Sequence, residues 1–491
     1  MSSMNLSVNE GATYDVIVMG GGPSGSMAAI AAAREGATVL LCEQYAFLGG
    51  SLTAMGVGPM MSFHNRAAQQ VVQGLPEELI ERLVERNASP GHILDSTGYC
   101  STVTPFDSEA LKIELETMLH EAGVSATGAS AAGASATGAS AAGASATGAT
   151  ILYHTMLADV QTSITHDAHD HIDAIIVCNK SGLTRYRAHT FIDATGDADL
   201  SVRAGAPFQF GRTGDGQIQP MTMNLKVANV NMQRLRAYVN EHPEEFPHGN
   251  PAMVNRAARV SLGGFISAWK AALERGEVSV PRELVLFFES HIPGVIIVNT
   301  SRIVGLDPTD PVQLSKAESI GRQQCAEIFQ FLRRYCVGFE NCVRMDTSAQ
   351  VGVRESRHVR GRYTLTAQDL IEEHQFEDPI ALGGYPIDIH NSSAAGTNTT
   401  HLRHDIAYQI PMRCLLLDAP DNLVVSGRAI SATHEAAAAF RVTPIAMAIG
   451  QAAGTIAALA CAQHTAANQV NYADVRLRLD HGHAYLNHHS S

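Results

Sequence analysis

Aromatic residues make up only 6% of the 491 residues, with a single tryptophan, and charged residues only 17%. Basic residues are the scarcer sign: 34 Lys plus Arg stand against 48 Asp plus Glu, a net charge of −14, and no long basic run occurs. The counterion-release attraction that drives nucleic-acid binding is therefore missing, and no nucleic-acid partner is expected. Eight cysteines are scattered without a C-x-x-C pair, which excludes a disulfide scaffold, a zinc ribbon and a dithiol redox pair, and predicts reduced, mostly buried thiols with no metal site. Glycine (42) and proline (19) are near ordinary usage, which excludes a collagen-like chain. The first twelve residues lack both a basic stretch and an apolar one, so no secretory signal is read and a cytoplasmic location is expected.

What is present is a large apolar fraction, 45%, enough for a sizeable core; at roughly 150 residues per domain the length predicts about three domains, or two large interleaved ones. One uncharged run, Val442–Ala462, is 21 residues long, sufficient to cross a bilayer. Pro444 suits the first turn of a helix, and Gly450-x-x-x-Gly454 with Gln451 favours close packing inside protein over a lipid-facing span. A buried helix is expected here.

Between Ser125 and Ala149 a ten-residue unit, SATGASAAGA, occurs twice and then by half. Ala, Ser, Thr and Gly offer too little apolar surface to offset ordering entropy, so a low-complexity surface loop is predicted. Around it the pattern gives a strand at 14–19, a helix at 24–34, a second strand at 38–43, a helix at 108–121, a strand at 151–160, a hairpin across 165–173 and strands at 174–179 and 187–193. The expected division is a discontinuous α/β domain of 12–65, 100–206 and 411–470, with 66–99 and 207–410 forming an inserted α+β substrate or cap domain.

The most specific signal opens the chain. Tyr14-Asp-Val-Ile-Val-Met19 runs into Gly20-Gly-Gly22-Pro23-Ser24-Gly25, and Val39-Leu-Leu-Cys-Glu43 follows. Gly20 permits the tight strand-to-helix turn, Gly22 lets backbone approach a pyrophosphate, and Gly25 lets the helix pack on the strand. Pro23 and Ser24 open a helix whose free N–H groups face the diphosphate. Glu43 ends the second strand 18 residues past Gly25, where a carboxylate can accept from ribose hydroxyls. Strand, glycines, helix and terminal acid together define a Rossmann-like dinucleotide site.

Three further segments, Gly49-Gly50-Ser51, Phe191-Ile-Asp-Ala-Thr-Gly196-Asp197 and Asn422-Leu-Val-Val-Ser-Gly427-Arg428 ahead of the Ala-rich helix, bear on the choice between FAD and NAD. With them the chain resembles the FAD-dependent oxidoreductases of glutathione-reductase-like topology, from about Tyr14 to Ala462 outside the repeat. The resemblance also takes in Gly352-Val-Arg-Glu-Ser-Arg357 and Tyr385-Pro-Ile-Asp-Ile-His390. It implies non-covalent FAD, held by Gly20, Gly22, Gly25, Glu43, Gly49, Gly50, Ser51, Gly196, Asp197 and Arg428, with the last helix pointing its N-terminus at the flavin pyrimidine. It departs at Arg428, where many such proteins carry an Asp, and no second G-x-G-x-x-G supplies a nicotinamide domain, so the electron acceptor or donor is left open.

For the chemistry, His390 after the Gly383-Gly384-Tyr385-Pro386 loop is the candidate proton acceptor. Arg354 is the candidate anchor for an anionic substrate group, with an ion pair to Glu355 or Asp346 as its structural alternative. His401 and His404 are read as surface residues. His166-Asp-Ala-His169-Asp-His171 is read as a solvated turn, Met55, Met60 and Met61 as core fillers, and the charges from Glu77 to Arg86 as a solvated helix face. The expected function is oxidation or reduction of a small polar metabolite, anionic if Arg354 faces it, by hydride transfer at flavin N5. A flavin monooxygenase, which Asp197-x-x-x-Ser201-x-Arg203 resembles faintly, and an electron-transfer subunit without substrate chemistry of its own are the alternatives.

Overall fold

The computed structural model describes residues 6–127, 148–164, 170–392, 396–403, 405 and 407–487. The chain begins with β1 (Val8–Met19), α1 (Pro23–Arg34) and β2 (Val39–Cys42). After α2 (Leu75–Glu85) and α3 (Ser108–Thr127) come β3 (Ala149–Leu152), β4 (Met156–Ile164), β5 (Asp170–Asn179) and β6 (Gly182–Asp193). The strand expected at 151–160 is thus two strands with a turn between them. Much later β7 (Leu423–Val425) leads into α4 (His434–Phe440) and α5 (Thr443–Gln463).

β3, β2, β1, β6 and β7 lie side by side and parallel, with Val18 opposite both Leu41 and Ile192. The centre of β1, Val16-Ile17-Val18, is fully buried, as a parallel strand covered on both faces requires. The first half of β6 turns instead into an antiparallel ribbon with β5 and β4. His166 and His169, expected in a solvated turn, lie outside the described residues; His171, on β5, has Nδ1 2.8 Å from Asp421.

α1 and α5 pack against each other through backbone. A Cβ on Gly450 would sit 2.1 Å from the Ser24 carbonyl oxygen, and one on Gly454 2.1 Å from that of Ala28. α5 is the one described helix long and apolar enough to cross a membrane, and 83% of its most apolar stretch is buried inside the protein.

A second core, running from Met221 to Val353, belongs to an antiparallel sheet in the order 261–264, 285–289, 296–298, 225–228, 343–347. Helix Pro311–Tyr335 covers it with Cys325, Ile328 and Phe331. Leu79, Ile80 and Leu83 of α2, and residues such as Leu382, Tyr408 and Ile410, sit in the first core instead. The packing boundaries therefore differ from the expected grouping of 66–99 and 207–410. The apolar face of α2 lies against α3 and α5, contacts that amphipathicity alone does not assign.

The charges of α2 are also less solvated than expected. Arg82 pairs with Glu78 and Glu121 and reaches Glu114 of α3, which is 1% exposed. Burying the Glu114 carboxylate costs desolvation, which its two partners, Arg82 and Arg86, offset.

The two ends of the repeat segment meet. Gly123 and Gly148 are in backbone contact, and Gly148 accepts a hydrogen bond from the Val39 amide. Residues 128–147, most of the predicted low-complexity loop, lie outside the described residues.

Candidate active site

The Gly20–Gly25 turn divides its work among its glycines. Gly20 has φ +97°, and a Cβ there would strike the Ala194 carbonyl at 2.5 Å. A Cβ on Gly25 would lie 1.8 Å from the Gly20 oxygen, so Gly25 serves helix-on-strand packing. Gly22 differs from both: nothing lies within 4 Å of its Cβ position. It faces a cavity of about 830 Å³ that runs between the two cores.

Of the residues expected at the cofactor, Gly20, Gly22, Pro23, Ser24, Glu43, Gly50, Ser51, Gly196, Asp197 and Arg428 line this cavity; Gly25 and Gly49 do not. Gly49, at φ +101°, donates to the Gly21 carbonyl at 2.8 Å and so ties its loop to the glycine turn. Glu43 is 5% exposed, accepting from the Gly21 amide at 2.6 Å and the Tyr45 amide at 2.9 Å. Burial pushes its carboxyl above the usual range, against the pull of these amides.

Beyond β6, Asp193 organises the loop. One of its oxygens accepts from the Thr195 amide and hydroxyl and the other from those of Ser201, which places Ser201 in a structural bond. Asp197 then accepts from Arg428 at 2.7 Å and Ser356 at 2.5 Å. Arg428 therefore has an ion-pair partner of its own at the cavity wall. Ser24 and Ser426 hydroxyls lie 2.5 Å apart, closing the split domain around the same point. Val442, Thr443 and Ala446, at the start of α5, face the cavity too.

The far end of the same cavity carries His390 and Arg354. Strand alternation over Ile387–His390 puts Asp388 and His390 on one face, and His390 Nε2 lies 3.2 Å from Asp388 Oδ2. His390 Nδ1 lies 3.1 Å from the Thr397 hydroxyl. Burial, helped by the Arg354 and Arg282 charges, holds the imidazole below its ordinary pKa although Asp388 pulls the other way. Burial acts on the Asp388 carboxyl in the opposite sense, but His390 and Arg441 hold it low.

Arg354 makes neither ion pair foreseen for it. Its Nη1 donates to the Pro220 carbonyl at 2.5 Å and to the Thr222 hydroxyl at 2.6 Å, while Asp346 faces Lys226. Glu355 points the other way into a buried site, where it accepts from the Gln219 amide and meets His434 at 2.7 Å and His358 at 3.4 Å.

Several residues here escaped sequence reasoning: Arg282 and Arg441 on the cavity wall, Arg302 behind it, and Gln219 between His390 and Arg441. Asp388 carried a usable signal, its i,i+2 spacing from His390. The arginines carried none, since their separations in sequence follow no period. Met55 and Met61 line the cavity and only Met60 is core, because the short strand that bears Met60 and Met61 turns one side chain each way. His401 stacks edge-on against Tyr99, with ring centroids 5.6 Å apart; His404 lies outside the described residues. Among the eight cysteines only Cys178 is exposed.

A split parallel sheet, a glycine turn opening on a large cavity and an Ala-rich helix aimed into it define a dinucleotide-binding α/β oxidoreductase. The family model described as FAD dependent oxidoreductase matches residues 15–479, and the chain belongs to that family. No curated protein matches it by sequence. Among solved structures the chain is similar to a geranylgeranyl bacteriochlorophyll reductase-like protein from Thermoplasma acidophilum, at 12% identity and TM-score 0.42 over 96% of this chain and 83% of that one. It is similar also to p-nitrophenol 4-monooxygenase from Pseudomonas putida DLL-E4, at 10% and 0.43 over 95% and 84%. A third is a flavin-dependent brominase, at 13% and 0.44 over 96% and 84%. The residues present fit the cofactor, because the open position at Gly22 is a cradle that any side chain would fill.

Proposed function

We propose that the chain oxidises a small polar substrate carrying an anionic group, with FAD bound non-covalently along the Gly20–Ser24 end of the cavity and substrate at the His390–Arg354 end. The observation that carries this reading is the continuity of the cavity: one wall includes both Gly22 and His390. FAD, when bound, supplies a two-electron hydride acceptor at N5.

The chain's own residues do the rest. Gly20, Gly22, Pro23 and Ser24 would present backbone to the diphosphate, with Gly25 packing the helix behind them, and Glu43 would meet the ribose. Gly50 and Ser51, held by the Gly49–Gly21 bond, would line the cofactor's cavity together with Gly196, Asp197 and Arg428. The N-terminus of α5 offers partial positive charge toward the flavin ring. Asp388 holds the Nε2 hydrogen of His390, which leaves Nδ1 with the lone pair that takes the substrate's proton as Thr397 turns away. Arg354, oriented by Pro220 and Thr222, binds the substrate's anionic group.

The test begins with the purified protein, which should be yellow and should release flavin into the supernatant on denaturation. A thermal-shift screen of that holoprotein against anionic metabolites then identifies binders, and a true substrate bleaches the flavin anaerobically in a single turnover. Binders that are consumed only with NADPH and oxygen together would overturn the hydride-transfer reading in favour of a monooxygenase.

A further inference from the structure

We propose that the cavity wall around Asp388 and His390 is built for a small dianion, a ligand presenting two negative charges on carboxylate or phosphate groups. The proposal rests on the reading that this end of the cavity takes substrate. The Asp388 charge acts on four guanidiniums, with Arg441 3.7 Å away: Arg282 and Arg302 flank two strands of the second sheet, Arg354 follows its edge, and Arg441 ends α4 from the first core.

Their partners set them apart from other arginines of this protein. Arg428 and Arg357 pair with aspartates at 2.7 and 3.0 Å. Here the acceptors are neutral: Arg282 donates to the Thr300 carbonyl, Arg302 to those of Asn391 and Gly396, Arg354 to Pro220 and Thr222, and Arg441 to Gln219 and the Asp388 backbone. Among the described residues the one carboxylate within ion-pair reach of any of the four is Asp388, 3.7 Å from Arg441. Glu283, on the cavity wall, adds a second negative charge that acts on Arg302. Asp95 is buried nearby, but its charge acts on His248, whereas the carboxylates that act on these arginines are Asp388 and Glu283.

Four cations thus face two carboxylates, with a neutral imidazole between them, and two positive charges stand uncompensated. Unmatched buried charge is costly unless something pairs with it. Hydrogen-bond donors are also left over. Among the described residues, Arg302, 1% exposed, has no partner for Nε and Nη1, and neither Arg441 Nε nor Gln219 Nε2 has one. Guanidinium forks match the paired oxygens of a carboxylate or a phosphate. Arrival of a dianion would also offset the Arg354 and Arg282 charges that add to burial in holding His390 below its ordinary pKa.

The experiment is a charge series on the yellow holoprotein at constant ionic strength, read as melting temperature and converted to apparent dissociation constants. Succinate, butyrate and succinamide carry two, one and no negative charges on the same carbon skeleton; inorganic phosphate is set against chloride. The expected result is that succinate or phosphate binds at least about tenfold more tightly than its less charged comparator, and which of the two responds identifies the chemical group. Arg282→Gln, away from the dinucleotide loop, should weaken that dianion by about tenfold or more, the scale of one charge-assisted bond, with flavin content unchanged. A flat series in the unsubstituted protein overturns the proposal whether or not the variant folds, and so does undiminished dianion binding in a folded Arg282→Gln. A colourless preparation would count against the flavin reading alone, because the same series on the colourless protein still decides whether the wall prefers dianions.

Discussion

Gly450 and Ser24 touch through backbone across 426 positions of sequence, with room for no side chain on Gly450 between α5 and α1. This contact holds the C-terminal helix against the helix that follows the glycine turn, and so fixes the N-terminus of α5 relative to the dinucleotide loop. Gly450→Ala is expected to force the helices apart at a cost of about 1–3 kcal/mol, the usual penalty of overpacking. Denaturant unfolding of the holoprotein measures it, and an unchanged midpoint would mean that the helix pair can slide.

Gly22 and Gly25 should fail in different ways. Gly22→Glu is expected to fold with near-normal secondary structure and to purify colourless, since the new side chain enters the open cradle and brings a like charge to the diphosphate. Gly25→Ala is expected to lose stability before it loses flavin affinity, because its Cβ would meet the Gly20 carbonyl at 1.8 Å. Circular dichroism and visible absorbance on both variants separate the two; retained flavin in Gly22→Glu would assign the diphosphate to another segment.

His390→Ala should retain FAD and slow single-turnover flavin reduction by about 10²–10⁴-fold, the usual contribution of a general base. Because burial and the arginines hold His390 below its ordinary pKa, the reduction rate of the unsubstituted enzyme well below substrate saturation, which reports the free enzyme, should show no acid limb near the ordinary histidine value of about 6.5. A limb there that vanishes in the variant would place His390 in a different electrostatic setting.

Stability should decline in mild acid. Burial, with the neighbouring His92, pushes His64 down to about 4, so between that value and about 6.5 the unfolded chain binds the proton that the folded chain refuses. Unfolding free energy therefore falls as pH drops through this window and is flat above it. His64→Gln should reduce the slope of melting temperature against pH there; an identical slope would move the acid sensitivity elsewhere.

Excision of residues 125–147 is expected to leave melting temperature and flavin content unchanged. Gly123 and Gly148 already meet, so the new Val124–Gly148 bond has only a short gap to close once α3 loses its last three residues, and Ala149 keeps its place opposite Val39 in the sheet. Loop-closure entropy changes by only about 0.6 kcal/mol per doubling of length. Loss of FAD would show that the repeat takes part in packing.

The dinucleotide unit was legible because everything that makes it lies within 30 residues, Tyr14 to Glu43. A buried strand, a turn that tolerates only glycine and a helix of small residues are each dictated by local sterics and burial, and their spacing leaves one arrangement. The Ala-rich helix was legible for a similar reason: Pro444, Gly450 and Gln451 mark it as protein-packed within its own length. Tertiary structure alone decided which arginines stand together and what they touch. Arg428 found Asp197, Arg354 found neutral oxygens in place of Glu355, and Arg282, Arg302 and Arg441 came under the charge of Asp388 from three separate segments. A long, flexible, charged side chain carries no periodic signature of its partner, and whether its charge is matched depends on which distant backbones and carboxylates the folded chain brings within about 4 Å of it.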